Sequence, residues 1–329
     1  MKLENIQNLI NIQNFTTESG VLYHSLPLSY SLFGLTLHTA PVILVNHALT
    51  GNAQVTGENG WWSDLIGLGK TIDINKYTIL AFNVPGNGND SFIIEKYQDF
   101  TTRDIARIFL EGIKALHIQK TFAIIGGSVG GGIAWEMLAL APNCTQHLIP
   151  IATDWKSTDW MIANCYLQEQ ILNNSSKPVE DARIHAMLCY RSPESFKEKF
   201  KRTINENLKI FNIESWLAHH GEKLQKRYQL SSYKLMNQLL KTIDITRNGG
   251  DLETLVGKTE ASIHIIAINS DLFFIPKENL ETYNELKKFK DNVFYSEIDS
   301  VHGHDAFLIE YKQLDHLLAT IFKAETIEK

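Results

Sequence analysis

The sequence predicts an α/β fold: a doubly wound, mostly parallel sheet interrupted by a helical insertion. Three observations predict it. Six short, nearly continuous apolar runs recur along the chain, as expected for strands buried on both faces. Stretches of helical period lie between several of them. One long segment, from about Asp154 to about Thr246, contains no such run and is rich in helix formers and polar residues. The 329 residues, 44% hydrophobic and 21% charged, are enough for one large soluble α/β domain.

The first run, Pro41-Val42-Ile43-Leu44-Val45-Asn46, stops at His47. Tyr77 to Asn83 is the second and ends at the loop signal Pro85-Gly86-Asn87-Gly88. Phe122 to Ile125 is stopped by Gly126-Gly127, and His147 to Ala152 follows. Ile263 to Ile268 and Val293 to Ile298 complete the set. Helices are expected from Thr102 through Ile113, from Ile133 through Leu140, and from Asp305 through Phe322. We therefore divide the chain into a first core part (1–153), a helical lid (154–246) and a second core part (247–329). An insertion after a sheet strand sits over the carboxyl edge of the sheet, where α/β proteins place their sites.

Bulk properties narrow the function. A net charge of −6 provides no basic field for nucleic acid or anionic lipid. No stretch approaches the roughly 18 apolar residues of a membrane span. The start Met1-Lys2-Leu3-Glu4-Asn5 does not read as a secretory signal. Cys144, Cys165 and Cys189 show neither disulfide nor metal-site spacing. We expect a cytoplasmic protein with no bound metal, no membrane partner and no nucleic-acid partner.

The most informative segment is Gly126-Gly127-Ser128-Val129-Gly130-Gly131-Gly132. It places G-x-S-x-G between an apolar strand and an apolar helix, the context of the nucleophile elbow in the α/β-hydrolase fold. Ser128 is then the nucleophile, with glycines leaving room for the turn. A serine hydroxyl needs a histidine base, and the histidine needs a carboxylate. The chain order in this fold is serine, acid, histidine. Asp271 directly follows the fifth strand; Asp291 and Asp299 are alternatives without that placement. His302 and His304 both lie between the sixth strand and the last helix, and spacing alone does not choose between them. The oxyanion needs two backbone donors, expected at Val129 and at Leu49 in the loop His47-Ala48-Leu49-Thr50-Gly51.

These pieces, with Gly60-Trp61-Trp62, Gly67-Leu68-Gly69-Lys70, Tyr190-Arg191-Ser192, Ile213-Glu214-Ser215-Trp216-Leu217, Arg227-Tyr228 and Gly303-His304-Asp305-Ala306-Phe307-Leu308, resemble the homoserine O-acetyltransferase family along nearly the whole chain. Phe15 to Gly20 looks like the family's opening strand. The resemblance implies a triad of Ser128, Asp271 and His304, with Leu49 and Val129 in the oxyanion hole. It implies ping-pong transfer of acetyl from acetyl-CoA, a co-substrate with no bound cofactor, to L-homoserine in methionine biosynthesis. It implies substrate contacts at Asp305 and Arg103, and a homodimer formed through the lid. Two departures touch the acceptor site. Gln168-Glu169 stands where the family has Gln-Arg, and a glutamate there would repel the acceptor carboxylate. Residues 83–90 also differ from the family's glycine-rich pattern. Arg183 and Arg191 are cations that could replace the missing arginine. The same machinery would also serve succinyl-CoA, serine as acceptor, or an esterase-like hydrolysis.

Overall fold

The computed structural model describes residues 8–323. Eight strands form the main sheet: β1 (Asn8–Thr16), β2 (Leu22–Gly34), β3 (Val42–Asn46), β4 (Thr78–Phe82), β5 (Thr121–Gly127), β6 (Thr145–Ile151), β7 (Ser262–Ile268) and β8 (Val293–Ile298). Their spatial order is β1-β2-β4-β3-β5-β6-β7-β8. β1 and β2 pair antiparallel, as do β2 and β4, and every later pairing is parallel.

The all-apolar runs are explained by burial on both faces. Every residue of β3 and β4 is buried. Side chains alternate across the pleat. Leu44, Leu80, Ile124 and Leu148 therefore enter the core on one face, and Ile43, Ile79, Ile125 and Ile149 the core on the other. β1 and β2 escaped the sequence reading because they form a half-exposed antiparallel edge, with polar residues such as Asn11, Gln13 and Ser25 breaking the apolar pattern. Phe15 to Gly20 is not one strand. β1 ends at Thr16, and a turn closed by Thr17 N–H to Val21 O at 3.0 Å leads into β2.

α1 (Thr102–Ala115) and α2 (Val129–Leu140) follow β4 and β5. α1 opens with a capping box: the Thr101 hydroxyl accepts from the Asp104 N–H, and the Asp104 carboxylate accepts from the Thr101 N–H. Between β6 and β7 the chain runs through α3 (Asp159–Asn174), α4 (Pro178–Tyr190), α5 (Pro193–Phe200), α6 (Asn212–Gln225), α7 (Leu230–Lys241) and the short α8 (Leu252–Val256). Prolines at the first turns of α4 and α5 suit positions whose N–H has no helical acceptor. α9 (Pro276–Leu286) joins β7 to β8.

The last helix is shorter than the sequence suggests. Gly303–Leu308 is a 3₁₀ turn, and α10 spans only Tyr311–Phe322. In a 3₁₀ turn residues i and i+3 eclipse. That puts His304 and Phe307 together, with ring centroids 5.7 Å apart. The Trp62 indole N–H donating to Phe307 O at 3.2 Å pins the turn. Among the described residues no helix is long and apolar enough to cross a membrane.

Arg103, expected from the resemblance at a substrate contact, is engaged in a buried ionic cluster. Its Nε donates to Glu136 Oε2 at 2.8 Å and its Nη2 to Ile245 O at 2.6 Å, and Glu18 lies 4.0 Å from Nη1. Glu136 sits eight residues past Ser128, about 12 Å down the α2 axis. The guanidinium fastens α1, α2 and the chain leaving the lid. A buried charge without its partner is strongly destabilising. Arg103→Ala is expected to lower stability by about 3–5 kcal/mol, read as a Tm drop of roughly 5–10 °C. Substrate KM measured on the remaining folded enzyme should not change.

Candidate active site

Ser128 ends β5 and caps α2 with φ 57° and ψ −131°. This is a backbone conformation that a non-glycine residue holds only when its surroundings over-determine it. The Ser128 N–H donates to Ile151 O at 2.9 Å, tying the turn to β6. Gly126 and Gly130 are required by close approach. A Cβ on Gly126 would lie 2.5 Å from the Gly130 carbonyl carbon, and one on Gly130 would lie 2.5 Å from Asn46 O. The turn is therefore pressed against the end of β3 and the loop that follows it.

Asp271 follows β7 and is 2% exposed. Its Oδ1 accepts from the N–H groups of Phe273 (2.7 Å) and Phe274 (3.0 Å). Its Oδ2 lies 2.7 Å from His304 Nδ1. The carboxylate accepts only, so Nδ1 carries a proton, and in the neutral imidazole Nε2 then keeps its lone pair. Tyr190, Phe273, Phe274 and Phe307 pack around the imidazole at centroid distances of 5.2–5.7 Å. The Phe273-Phe274 pair, next to Asp271 in sequence, was the readable signal for this box. Phe307 also packs against Gly127, where a Cβ would meet its ring at 2.5 Å. It thereby joins the histidine turn to the serine turn.

No hydrogen bond joins the Ser128 hydroxyl to His304 among the described residues. Such contacts are often long in a ligand-free site and tighten in the complex. His302 points elsewhere: its Nδ1 lies 3.1 Å from Arg191 Nη2 and 3.5 Å from Ser195 Oγ.

Leu49 and Val129 are both buried. Among the described residues neither backbone N–H has an acceptor. Buried N–H groups are nearly always paired, so these two are donors left free for a ligand.

A small cavity under the lid is lined by Leu49, Gln168, His185, Tyr190, Tyr233 and Phe273. Asp305 follows His304 and lies within electrostatic reach of Arg183 and Arg191. Burial pushes its carboxyl up, against the opposing pull of Arg183, His304 and Arg191. Arg191 Nη1 lies 3.8 Å from it. The Arg183 guanidinium sits 5.6 Å over the Tyr190 ring and has no carboxylate within 4.0 Å among the described residues. Glu169 does not face this cavity. Its carboxylate accepts from the Tyr97 hydroxyl at 3.0 Å and lies 3.6 Å from Lys241 Nζ. Neighbours on a helix diverge by about 100°, so Gln168 faces inward while Glu169 faces away, its charge compensated. The repulsion inferred from sequence therefore does not arise. Among the described residues no group of three or more His, Cys, Asp or Glu is placed to hold a metal ion.

A family model described as "alpha/beta hydrolase fold" matches residues 41–310. The homoserine O-acetyltransferase of Chloroherpeton thalassium is 33% identical over 85% of this chain and 79% of that protein. That of Methanococcus vannielii is 32% identical over 94% of this chain and 71% of its own length. Among solved structures, homoserine O-acetyltransferase from Staphylococcus aureus superposes with a TM-score of 0.83 at 26% identity, covering 99% of this chain and 98% of that one. Esterase E22 superposes with a TM-score of 0.85 at 17% identity, covering 96% of this chain and 99% of that one, a likeness of fold alone.

The geometry separates the two histidines. Labelling of Ser128 by a fluorophosphonate should fall by about 10³-fold or more in His304→Ala, the scale of losing a triad member. In His302→Ala it should stay within a few-fold of wild type.

Proposed function

We propose that this chain, which belongs to the α/β-hydrolase fold family and within it to the homoserine O-acetyltransferase family, moves an acetyl group from acetyl-CoA to the hydroxyl of L-homoserine through an acyl-enzyme on Ser128. The observation that carries the reading is the strained Ser128 at the elbow between β5 and α2, with the buried Asp271–His304 pair joined to that turn through Phe307.

Each step has a residue to perform it. His304 Nε2 takes the Ser128 proton as the oxygen attacks the thioester carbonyl. The oxyanion is held by the N–H groups of Leu49 and Val129. The intermediate collapses, the C–S bond breaks, and His304 returns the proton to the departing CoA sulfur. The homoserine hydroxyl then gives its proton to His304 and attacks the acetyl-serine. The second intermediate releases O-acetylhomoserine and restores Ser128. Asp271 holds the imidazole in the useful tautomer and stabilises its charged form. The acceptor's ammonium lies at Asp305 and its carboxylate at Arg183, a fixed pair of opposite charges that orients the hydroxyl.

Transfer over hydrolysis is supported by enclosure. Ser128, Asp271 and His304 are each 5% exposed or less, and an acyl-enzyme must stay dry until its acceptor arrives. The reaction belongs to methionine biosynthesis. The lid hairpin of Ile204–Asn205 and Ile210–Phe211 leaves Ile204, Leu208 and Phe211 exposed, an apolar patch suited to a homodimer.

With acetyl-CoA and homoserine, Ser128→Ala should abolish turnover, and CoA release by the wild type should depend on homoserine. Acceptor-independent CoA release would make the enzyme a hydrolase instead. Arg183→Met is expected to raise the homoserine KM by about 10- to 100-fold, the loss of one charged hydrogen-bonding partner. Glu169→Arg should leave it unchanged.

A further inference from the structure

The loop after β3 has its peptide carbonyls fixed one after another. His47 Nε2 lies 3.1 Å from the Val84 N–H. A backbone N–H can only donate, so Nε2 is the acceptor and the proton of this neutral imidazole is on Nδ1. Burial supports the neutral form, pushing the His47 pKa down to about 4. Nδ1–H donates to Ala48 O at 2.8 Å. The next carbonyl, Leu49 O, accepts from the Tyr228 hydroxyl at 2.8 Å in a buried contact. The one after it, Thr50 O, accepts from Arg227 Nη1 at a longer 3.4 Å.

The peptide unit is planar and trans. The carbonyl of Ala48 and the N–H of Leu49 therefore point in opposite directions from one plane. Fixing Ala48 O fixes the direction of the Leu49 N–H. A flip of that plane must rotate ψ of residue 48 and φ of residue 49 together, and the plane on the far side of Leu49 is held by Tyr228. Asn87 Nδ2, 3.2 Å from His47 Nε2, and Asn83, whose Oδ1 accepts from the Ala53 N–H at 2.8 Å, brace the imidazole and the loop from the core.

We propose that His47, Tyr228 and Arg227 are positioning residues that hold the Leu49 N–H in its oxyanion-binding orientation. The lid, which carries Tyr228 and Arg227, thereby completes the oxyanion hole of the core. The two residues lie between α6 and α7, so the lid acts on the acylation step itself as well as covering the site. This inference rests on the reading of Leu49 as an oxyanion donor.

The test uses the full-length protein and p-nitrophenyl acetate, which reports acylation of the serine without CoA or acceptor. Tyr228→Phe removes only the hydroxyl. The maximal acylation rate should fall about 10-fold, short of the roughly 10²–10³ lost when a donor is removed outright. The ester concentration giving half-maximal rate should stay within twofold. A purely structural role would move both parameters or lower Tm without this split. Arg227→Gln, on a half-exposed chain, should lower the same rate about threefold and serves if Tyr228→Phe does not fold. Acylation by Tyr228→Phe within twofold of wild type, or by Arg227→Gln where that variant is the one used, overturns the clamp. An acetyl burst persisting in Ser128→Ala overturns the acyl-enzyme reading instead, whatever Tyr228 does.

Discussion

The turn at Ser128 is the constraint on which the rest of the structure depends. A non-glycine residue at φ 57° and ψ −131° carries a cost of order 1–3 kcal/mol. It persists because the neighbourhood leaves no alternative. Its N–H is held by Ile151, and the strand behind it is buried on both faces. Gly126 and Gly130 allow α2 to fold back within contact of β5 and of the β3 carbonyls. That same closeness presses the serine turn against Asn46 and His47, where the loop that carries Leu49 begins.

The lid and the core are joined in two different ways. Arg103 and Glu136, with Ile245 O, form a buried ionic fastening at the lid's exit. Such a group stabilises little relative to an apolar core but is costly to break, so it fixes where the chain returns to the sheet. Tyr228 and Arg227 reach from the lid to the carbonyls of Leu49 and Thr50. The first connection sets architecture, and the second reaches the chemistry.

Around His304 the enclosure is aromatic and the one strong polar contact is Asp271. Low local polarity strengthens that hydrogen bond. The carboxylate spends its other oxygen on two backbone N–H groups and so cannot rotate away. Outside this box Arg191 lies 3.8 Å from Asp305, and Arg183 acts on the same carboxyl. An apolar reacting centre beside a charged rim suits an amino-acid acceptor with a small acyl group.

The six parallel strands, the serine turn and the acid and histidine after β7 and β8 were legible in the sequence, because each is a local pattern: an apolar run, a glycine spacing, a residue at a strand end. Other features depended on partners distant in sequence, and local pattern carries no record of them. The β1–β2 edge is the local exception, missed because one exposed face breaks its apolar run. Arg103 looked like a substrate contact until Glu136 appeared beside it, and Glu169 looked like a repulsive charge in the acceptor site until Tyr97 and Lys241 were found to hold it outside. The sequence alone determined the candidate groups, with His302 and His304 both open, and their order along the chain. Only the tertiary structure decided where each side chain points and which peptide planes are held, because those are set by groups that meet from tens of residues apart, as with Arg103 and Glu136, to 179 apart, as with Leu49 and Tyr228.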